Sequence, residues 1–246
     1  MNRTYCISDL HGHHKVFMSM LEKIEFDPSD KLYVLGDCND RGAFAYEIYD
    51  YLEKHRENIF LLKGNHEVMM RDTLVNGDWD SPNGRLWKQN GGKRTVEQFM
   101  KHFNIDGEYS EESQKKFEEY CRHLVEMINA LPEYIELTVN GKDFVLIHAG
   151  INPEKTLYEQ TEEECVWMRD WFFLNKGLEG KTIIFGHTPT VNIDSRTKYG
   201  IWNDPVYKDK IGIDGGLANY EEGQLNCLCL DDLSVVSIKR KEVEEG

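Results

Sequence analysis

The sequence predicts an α/β fold in which a mainly parallel sheet is buried between helices. Two observations support this prediction: short β-rich runs alternate with helical patterns at the start of the chain, and those runs are apolar on both faces. With 246 residues, of which 40% are hydrophobic, the chain has enough apolar material for one sizeable core. We therefore expect a single domain over residues 1–246.

The first three strands are expected at residues 4–8, 32–36 and 59–64. Between the first two, Val16 and Met20 recur at the spacing of one helix face, and the segment before the third strand shows the same pattern. The chain therefore begins with a β-α-β-α-β arrangement, which is typical of parallel strands covered by helices.

The later part of the chain contains a polar, mostly helical segment and further strands. The helical segment, at about residues 66–132, is expected to form a cap or insert beside the sheet. Since the last strands return towards the first ones, a sandwich of two sheets is also compatible with the pattern. The later strands are expected at residues 144–150, 182–187, 211–216, 225–230 and 234–239.

Composition excludes some classes of partner. The formal net charge of −15 argues against a nucleic-acid backbone or an anionic membrane surface as the main partner. There is no apolar signal region, so we expect a cytoplasmic protein. The six cysteines form no CxxC pair and are expected to be reduced thiols, most of them in the core.

Polar side chains follow five of the predicted strands. Ligands of open α/β sheets bind beyond the carboxyl ends of the strands, so residues at these positions are candidates for one site. A lone histidine at such a position is often a core residue, but five strand ends of this kind predict a shared function. The candidates are Asp9 and His11, Asp37, Asn65 and His66, His148, and His187.

These side chains suit a pair of metal ions. Carboxylate, imidazole and amide donors without a thiolate favour Mn²⁺, Fe or Zn²⁺, and we expect Mn²⁺. Asp9 and His11 are two residues apart and can chelate one ion. Two ions about 3.5–4 Å apart would polarise a phosphoryl oxygen and activate a bridging water. Asp37 is placed to bridge the first ion to a second, held by Asn65, His148 and His187.

Five ordered motifs carry a family resemblance: "DLHG" at 9–12, "GDCNDRG" at 36–42, "GNHE" at 64–67, "HAG" at 148–150 and "GHT" at 186–188. The set resembles the metallophosphoesterases, in particular the PPP-type serine/threonine phosphatases of bacteria and phages, with a lambda-phosphatase-like pattern. The resemblance implies a β-sandwich flanked by helices, in four layers (α/β/β/α), with a helical insert.

The resemblance also implies roles for single residues. The six ligands named above match the metal ligands of the family, and a metal-bridging hydroxide attacks the phosphate directly. His66 matches the general acid that protonates the leaving alkoxide, and Asp40 matches the residue that orients it. Arg41 and Arg169 match the two arginines that bind the phosphate. For Arg169, the alternative is an ion pair with a neighbouring acidic residue.

A few positions depart from the family pattern. Asn39 occupies a place in the second motif where an apolar residue is more common. Lys63 stands before "GNHE", where related enzymes carry arginine, which would weaken bidentate binding of an oxyanion. The "NGG" stretch at 90–92 also resembles bacterial members, in which it lies near the rim of the active site.

The leading hypothesis is therefore a phosphatase that hydrolyses phosphomonoesters, with phosphoserine and phosphothreonine proteins as the first substrate class and small phosphorylated molecules as the second. The first alternative is a symmetrical dinucleoside tetraphosphatase or another nucleotide phosphohydrolase. Such an enzyme needs a cationic path and an aromatic surface, for which residues 85–94 with Trp87 are candidates. The second alternative is a non-catalytic metal-binding regulatory protein. The oligomeric state is left open.

Overall fold

The computed structural model describes residues 2–105, 107 and 110–244, and that part of the chain contains two five-stranded sheets flanked by helices. Residues 1, 106, 108, 109, 245 and 246, which fall within the predicted domain, lie outside the described residues. Strands β1 to β10 span Thr4–Ile7, Lys31–Val34, Ile59–Leu61, Tyr134–Val139, Lys142–Ile147, Lys181–Phe185, Trp202–Asn203, Lys210–Gly212, Gln224–Cys229 and Val235–Lys239. Helices α1 to α10 span His14–Lys23, Ala45–Lys54, Asn65–Asn76, Pro82–Gln89, Gly92–His102, Glu111–Ala130, Glu162–Trp167, Asp170–Leu174, Thr190–Ile193 and Arg240–Glu244.

Both sheets mix parallel and antiparallel strands. In the first sheet, ordered β10-β9-β1-β2-β3, the strands β1, β2 and β3 are parallel, whereas β9 and β10 are antiparallel neighbours. In the second sheet, ordered β4-β5-β6-β8-β7, the central strands β5, β6 and β8 are parallel. The predicted α/β class is confirmed, and the strands form the two-sheet arrangement rather than one mainly parallel sheet.

The alternation of side chains along the strands explains why two sheets form. In β1, Tyr5 and Ile7 pack under the helices of the first sheet, while Cys6 points into a second apolar cluster between the sheets. In β5, Phe144 faces that middle cluster and Val145 faces a third cluster beneath α7 and α8. Three apolar clusters therefore separate four layers, which gives each strand two buried faces.

The helices α3 to α6 lie in the segment that the sequence predicts to be a helical insert. They share one apolar cluster with α1 and α2, and the insert contributes Trp87, Phe99, Leu124 and Ile128 to it. The insert is therefore an extension of the core over the first sheet. All six cysteines are unpaired thiols, and five are buried. Among the described residues, no helix combines the length and apolarity that crossing a bilayer requires.

A partly buried ion-pair cluster joins α3 to α7. Glu162 accepts hydrogen bonds from Arg71 at 2.7 and 2.9 Å and from Lys63 at 2.8 Å. Lys63, which is 3% exposed, also contacts Glu133 at 3.0 Å. The lysine that departs from the family pattern therefore binds two carboxylates of the scaffold. The bidentate hydrogen bond from Arg71, opposed by burial and supported by Lys63, lowers the pKa of Glu162 to about 2.

We expect Glu162→Gln to lower the free energy of unfolding by about 1–2 kcal/mol at neutral pH, a value reduced for partial exposure of the carboxylate. The pKa of Glu162 is depressed in the folded state, so this contribution is present above the ordinary value of 4.5 and is lost as the pH falls towards 2. Urea unfolding at several pH values measures this contribution to the free energy of unfolding. The control is Glu163→Gln, on the exposed face of the same helix. A difference between the two variants that is independent of pH would contradict the prediction.

Candidate active site

Residues that follow strands of both sheets meet at one place in the molecule. The backbone N–H of His187, after β6, donates to Asp9 Oδ2, after β1, at 3.0 Å. His148, after β5, reaches the first sheet through Nδ1, which lies 2.6 Å from the carbonyl oxygen of Leu35. The structure therefore brings the predicted strand-end residues of the two sheets together, as the shared-site hypothesis requires.

Two groups of potential metal ligands share one carboxylate. The ligand atoms of His11, Asp37 and His66 lie within 4.8 Å of one another, and so do those of Asp37, His148 and His187. Asp37 Oδ2 is 3.7 Å from His11 Nε2, and Asp37 Oδ1 is 3.5 Å from His148 Nε2. Asp37 therefore occupies the place expected of a carboxylate that bridges two ions.

The other two predicted ligands border the second group. Asn65 Oδ1 lies 2.9 Å from His148 Nε2 and 2.9 Å from His187 Nδ1. Asp9 is 3% exposed, and burial, together with the charge of Asp37, raises its pKa. Two carboxylates buried beside each other repel, and a cation between them removes that repulsion.

The imidazoles present nitrogen lone pairs to this place. His187 Nε2 is buried and has no hydrogen-bond partner among the described residues. In His11 and His148, Nδ1 lies 2.9 and 2.6 Å from a backbone carbonyl, which only accepts, so the proton is on Nδ1 and Nε2 carries the lone pair. Burial lowers the pKa of His11 and of His187 well below the ordinary value. Neutral imidazoles, carboxylates and one amide oxygen fit divalent cations such as Mn²⁺, Fe or Zn²⁺.

The backbone turns sharply at these strand ends. Several non-glycine residues have positive φ angles there, between 42° and 70°. Each such residue costs roughly 1–2 kcal/mol, so this strain is maintained only where other interactions hold the loops in place. The left-handed turns bring side chains from successive loops to the same point. The residues are Asp9, His11, Asp37, Asp40, Arg41 and His187.

His66 and Asp40 form a buried pair. His66 Nδ1 lies 2.5 Å from Asp40 Oδ2, and both residues are at most 2% exposed. Burial by itself would lower the pKa of His66, but the charge of Asp37 and the hydrogen bond to Asp40 outweigh it and raise the pKa. Asp40 accepts a hydrogen bond from the Nδ1–H of His66. The Nε2 side of the ring therefore faces the ligand groups and can transfer a proton there.

Arg41 lies over the first ligand group. Its Nη1 is 2.8 Å from His11 Nε2, its Nη2 is 3.2 Å from His66 Nε2, and it also donates to Asn219. The guanidinium therefore occupies the space between a predicted metal ligand and the predicted acid. A phosphate oxygen bound there would be within reach of both nitrogens of the fork.

Arg169 contacts the residue that follows the ligand His187. Arg169 is exposed, and its Nη1 donates to Thr188 Oγ1 at 2.8 Å. Thr188 directly follows His187, so this contact brings the guanidinium to the rim of the ligand groups. The phosphate-binding role of Arg169 stays a prediction from the sequence.

One residue of the site was present in a motif but received no role from the sequence. Glu67, which is fully buried, accepts hydrogen bonds from the backbone N–H groups of Asp37, Cys38 and Gly64 at 2.8 to 3.0 Å. It also accepts from the hydroxyl of Tyr49 at 2.9 Å. The available signal was the position of a glutamate at the third residue of a helix, where it can cap backbone N–H groups.

The sequence did not predict two contacts that residues of the insert make with Asp40. Trp87 Nε1 donates to both oxygens of Asp40 at 2.9 and 3.0 Å, and Thr95 Oγ1 donates to Asp40 Oδ1 at 2.6 Å. Their only signal in the sequence is that they flank the "NGG" stretch at 90–92. Trp87 is 0% exposed, so it does not offer the aromatic surface considered for a nucleotide base.

A basic cavity of about 400 Å³ lies beside Arg41. Its lining includes Lys15 from α1, Arg94 from α5 and Arg240 from α10, in addition to Arg41. Phe44, which is 39% exposed, contributes an aromatic ring to the same lining. Cations from separate segments are thus concentrated next to the ligand groups of an acidic protein.

Comparison with known proteins shows that one family model matches most of the chain. The model described as Calcineurin-like phosphoesterase matches residues 3–217. A curated protein of Klebsiella pneumoniae (strain 342), "Bis(5'-nucleosyl)-tetraphosphatase, symmetrical", is 32% identical over 164 residues, which cover 66% of this chain and 47% of that protein. The protein of that name from Actinobacillus pleuropneumoniae serotype 5b (strain L20) is 26% identical over 157 residues, covering 63% and 48%. The chain spans about half the length of these curated relatives.

Solved structures show the same fold at low sequence identity. A "putative diadenosine tetraphosphatase" has a TM-score of 0.62 and 17% identity, covering 96% of this chain and 93% of that one. A protein serine/threonine phosphatase from Saccharomyces cerevisiae, with similarity to human phosphatase PP5, has a TM-score of 0.56 and 16% identity, covering 97% and 80%. The two structures differ in the substrate class of their names, so this likeness identifies the architecture alone.

We expect Asp37→Asn to cause the largest loss of bound divalent metal among single ligand changes, because the carboxylate faces both ligand groups. Protein stripped with a chelator and dialysed against Mn²⁺ is analysed for metal content and by calorimetric titration. The exposed Asp143 of β5 provides the control, since Asp143→Asn removes a carboxylate outside the site. Unchanged metal content in Asp37→Asn would contradict the assignment.

Proposed function

The chain belongs to the calcineurin-like phosphoesterase family, and we propose that it is a metal-dependent phosphohydrolase that cleaves symmetrical dinucleoside tetraphosphates. The leading hypothesis from the sequence was a protein phosphatase. The comparisons support its first alternative better, because the curated relatives described above carry the name of a symmetrical tetraphosphatase. We therefore place the nucleotide substrate first, and phosphomonoester hydrolysis becomes the competing outcome.

The basic cavity is the observation that supports this substrate class. A phosphomonoester presents a single phosphoryl group, which Arg41 and Arg169 can bind. A tetraphosphate extends beyond that point and needs further cations along its length. Lys15, Arg94 and Arg240 supply positive charge next to Arg41, and Phe44 offers a ring against which a base can stack.

The residues of the site suit hydrolysis at phosphorus. Divalent cations held by the two ligand groups would polarise the phosphoryl group and activate a water for attack. Arg41 binds the non-bridging oxygens and stabilises the charge that develops on them. His66 Nε2 donates a proton to the leaving oxygen as its bond to phosphorus breaks, and Asp40 holds the ring through Nδ1. Cleavage at the centre of a tetraphosphate releases two nucleoside diphosphates.

The non-catalytic alternative predicts that part of this apparatus is lost. Support for an enzyme comes from the two ligand groups that share Asp37, from the His66–Asp40 pair, and from the contacts of Arg41 and Arg169 beside them. A protein that only bound metal would have no need of an acid directed at a leaving group. We therefore favour an enzyme over a regulatory metal-binding protein.

His66→Asn should impair substrates with poor leaving groups more than those with good ones. We expect kcat for phenyl phosphate to fall by about 10²–10⁴, the usual contribution of general acid catalysis, and kcat for 4-nitrophenyl phosphate to fall less. Steady-state kinetics with added Mn²⁺ measures both, and the two substrates differ only in the leaving group. Equal losses on both would contradict the general-acid role.

Lys15→Ala should raise KM for diadenosine tetraphosphate about tenfold, the effect of losing one charge-assisted contact, and leave 4-nitrophenyl phosphate hydrolysis unchanged. The smaller substrate does not extend into the cavity. Lys101→Ala, on the exposed face of α5 outside the lining, serves as control. Faster turnover of a phosphoserine peptide than of diadenosine tetraphosphate, with no effect of Lys15→Ala on either, would show that the protein-phosphatase hypothesis is correct.

A further inference from the structure

We propose that the α4–α5 corner, residues 87–95, is a positioning device for catalysis, in which Trp87 and Thr95 fix Asp40 and through it His66. This proposal rests on the general-acid role of His66 in the proposed function. The corner belongs to the helical insert and is separated in sequence from every motif of the site. Within it, Trp87 and Thr95 orient the acid through Asp40, and neither of these two side chains needs contact with substrate.

The buried carboxylate of Asp40 is fully hydrogen-bonded. Its side chain is 0% exposed, and three donors serve its two oxygens, with the Trp87 N–H shared between them. Oδ1 accepts from Thr95 Oγ1 and Trp87 Nε1, while Oδ2 accepts from Trp87 Nε1 and His66 Nδ1. A carboxylate held by donors on both oxygens cannot rotate about its terminal bond without breaking several buried hydrogen bonds. The imidazole bound to Oδ2 is therefore held in one orientation.

Thr95 binds the backbone of Asp40 as well as its side chain. The Thr95 hydroxyl accepts a hydrogen bond from the Asp40 backbone N–H at 3.0 Å. It donates a second one to Asp40 Oδ1 at 2.6 Å. Asp40 and the next residue, Arg41, both have left-handed φ angles, of 70° and 63°. A single hydroxyl thus secures the conformation of the loop and the direction of the carboxylate.

The two glycines of the corner pack closely against Asp40 and Arg41 and against the indole of Trp87. A Cβ atom at Gly91, which has φ of 109°, would lie 2.8 Å from the backbone nitrogen of Arg41. A Cβ atom at Gly92 would lie 2.4 Å from the ring of Trp87. Only glycine permits these approaches, which gives the "NGG" stretch a physical role that the sequence alone did not reveal.

Helix α5 also binds the residues after Asp40. Arg94 Nη1 donates to the carbonyl of Arg41 at 2.8 Å. Gln98 Nε2 donates to the carbonyl of Gly42 at 2.9 Å, and Gln98 Oε1 accepts from the backbone N–H of Ala45 at 2.9 Å. The corner and the helix that follows it therefore bind the backbone of both the acid partner and the phosphate-binding arginine.

A merely structural role would give a different result from a positioning role. If the corner only stabilised the fold, a change in it would lower stability and the amount of active protein, and all substrates would lose rate equally. If it positions the acid, the loss falls on kcat rather than KM, and mainly on substrates that need protonation of the leaving oxygen.

The test uses a pair of variants at Thr95. Thr95→Val removes the hydroxyl at nearly constant volume, and Thr95→Ser retains it. With Mn²⁺ present, we expect Thr95→Val to lower kcat for phenyl phosphate about tenfold to hundredfold, as removal of an orienting partner does, with KM little changed and a smaller loss for 4-nitrophenyl phosphate. Thr95→Ser should restore the rate to near that of the wild type. Equal kinetics of the two variants on both substrates would overturn the proposal.

A second pair covers the case in which Thr95→Val does not fold. Trp87→Phe retains an aromatic ring but removes the N–H that Asp40 accepts, and the matched control is Trp79→Phe. Trp79 stacks on Trp87 with ring centroids 5.0 Å apart, so both variants disturb the same stack. We expect a loss of kcat on phenyl phosphate in Trp87→Phe that exceeds the loss in Trp79→Phe. Equal losses would overturn the proposal.

A spectroscopic measurement separates this proposal from the proposed function. Long-range ¹H–¹⁵N correlation spectra of the metal-free protein report the tautomer of His66. We expect a fixed Nδ1–H in the wild type and in Thr95→Ser, and an averaged or altered ring in Thr95→Val and Trp87→Phe. Failure of the wild type to hydrolyse any of the phosphate substrates would refute the function, whereas an unchanged His66 spectrum in both altered variants would refute the positioning role.

Discussion

The buried carboxylate of Glu67 is the interaction on which the geometry of the site depends. It accepts from three backbone N–H groups, those of Asp37, Cys38 and Gly64, and so binds the loop after β2 to the start of α3. Without it, three buried donors would lack partners, at about 1–3 kcal/mol each. Because Asp37 and His66 belong to these two segments, the same carboxylate sets the distance between the central ligand and the acid. The backbone N–H of His66 in turn donates to Asp37 Oδ1 at 3.0 Å.

The helical insert completes this arrangement from outside the sheets. Its core residues belong to the apolar cluster that also contains α1 and α2, so the insert cannot move independently of the first sheet without exposing apolar surface. Trp87 is both the largest fully buried side chain of the molecule's described part and a donor to Asp40. Packing and catalytic geometry are thereby coupled through one residue.

Charge is distributed unevenly over the molecule. The net charge of −15 describes the protein as a whole and not the neighbourhood of the site. There, one cavity lies next to the ligand groups that would hold divalent cations, and it is lined by Lys15, Arg41, Arg94 and Arg240. A strongly anionic small substrate is attracted to such a cavity even though the protein as a whole is acidic. The electric field at the site, rather than the net charge of the protein, is therefore the quantity that bears on substrate class.

The sequence by itself determined the α/β class and the residues at the strand ends, because both depend on local information. Apolar runs identify strands, and a polar residue directly after a run must lie at the sheet edge. The arrangement of two mixed sheets was harder to predict from the sequence. It depends on the antiparallel pairing of β9 with β1, across more than two hundred residues, and β10 joins the sheet by pairing with β9.

Only the tertiary structure decided which distant side chains support the site. Trp87 and Thr95 reach Asp40 across 47 and 55 residues, and Lys63 reaches Glu162 across 99. No periodicity or motif spacing encodes such contacts, because they arise from how the helices of the insert pack on the sheet. The basic cavity likewise joins α1, α5 and α10, which no local pattern brings together.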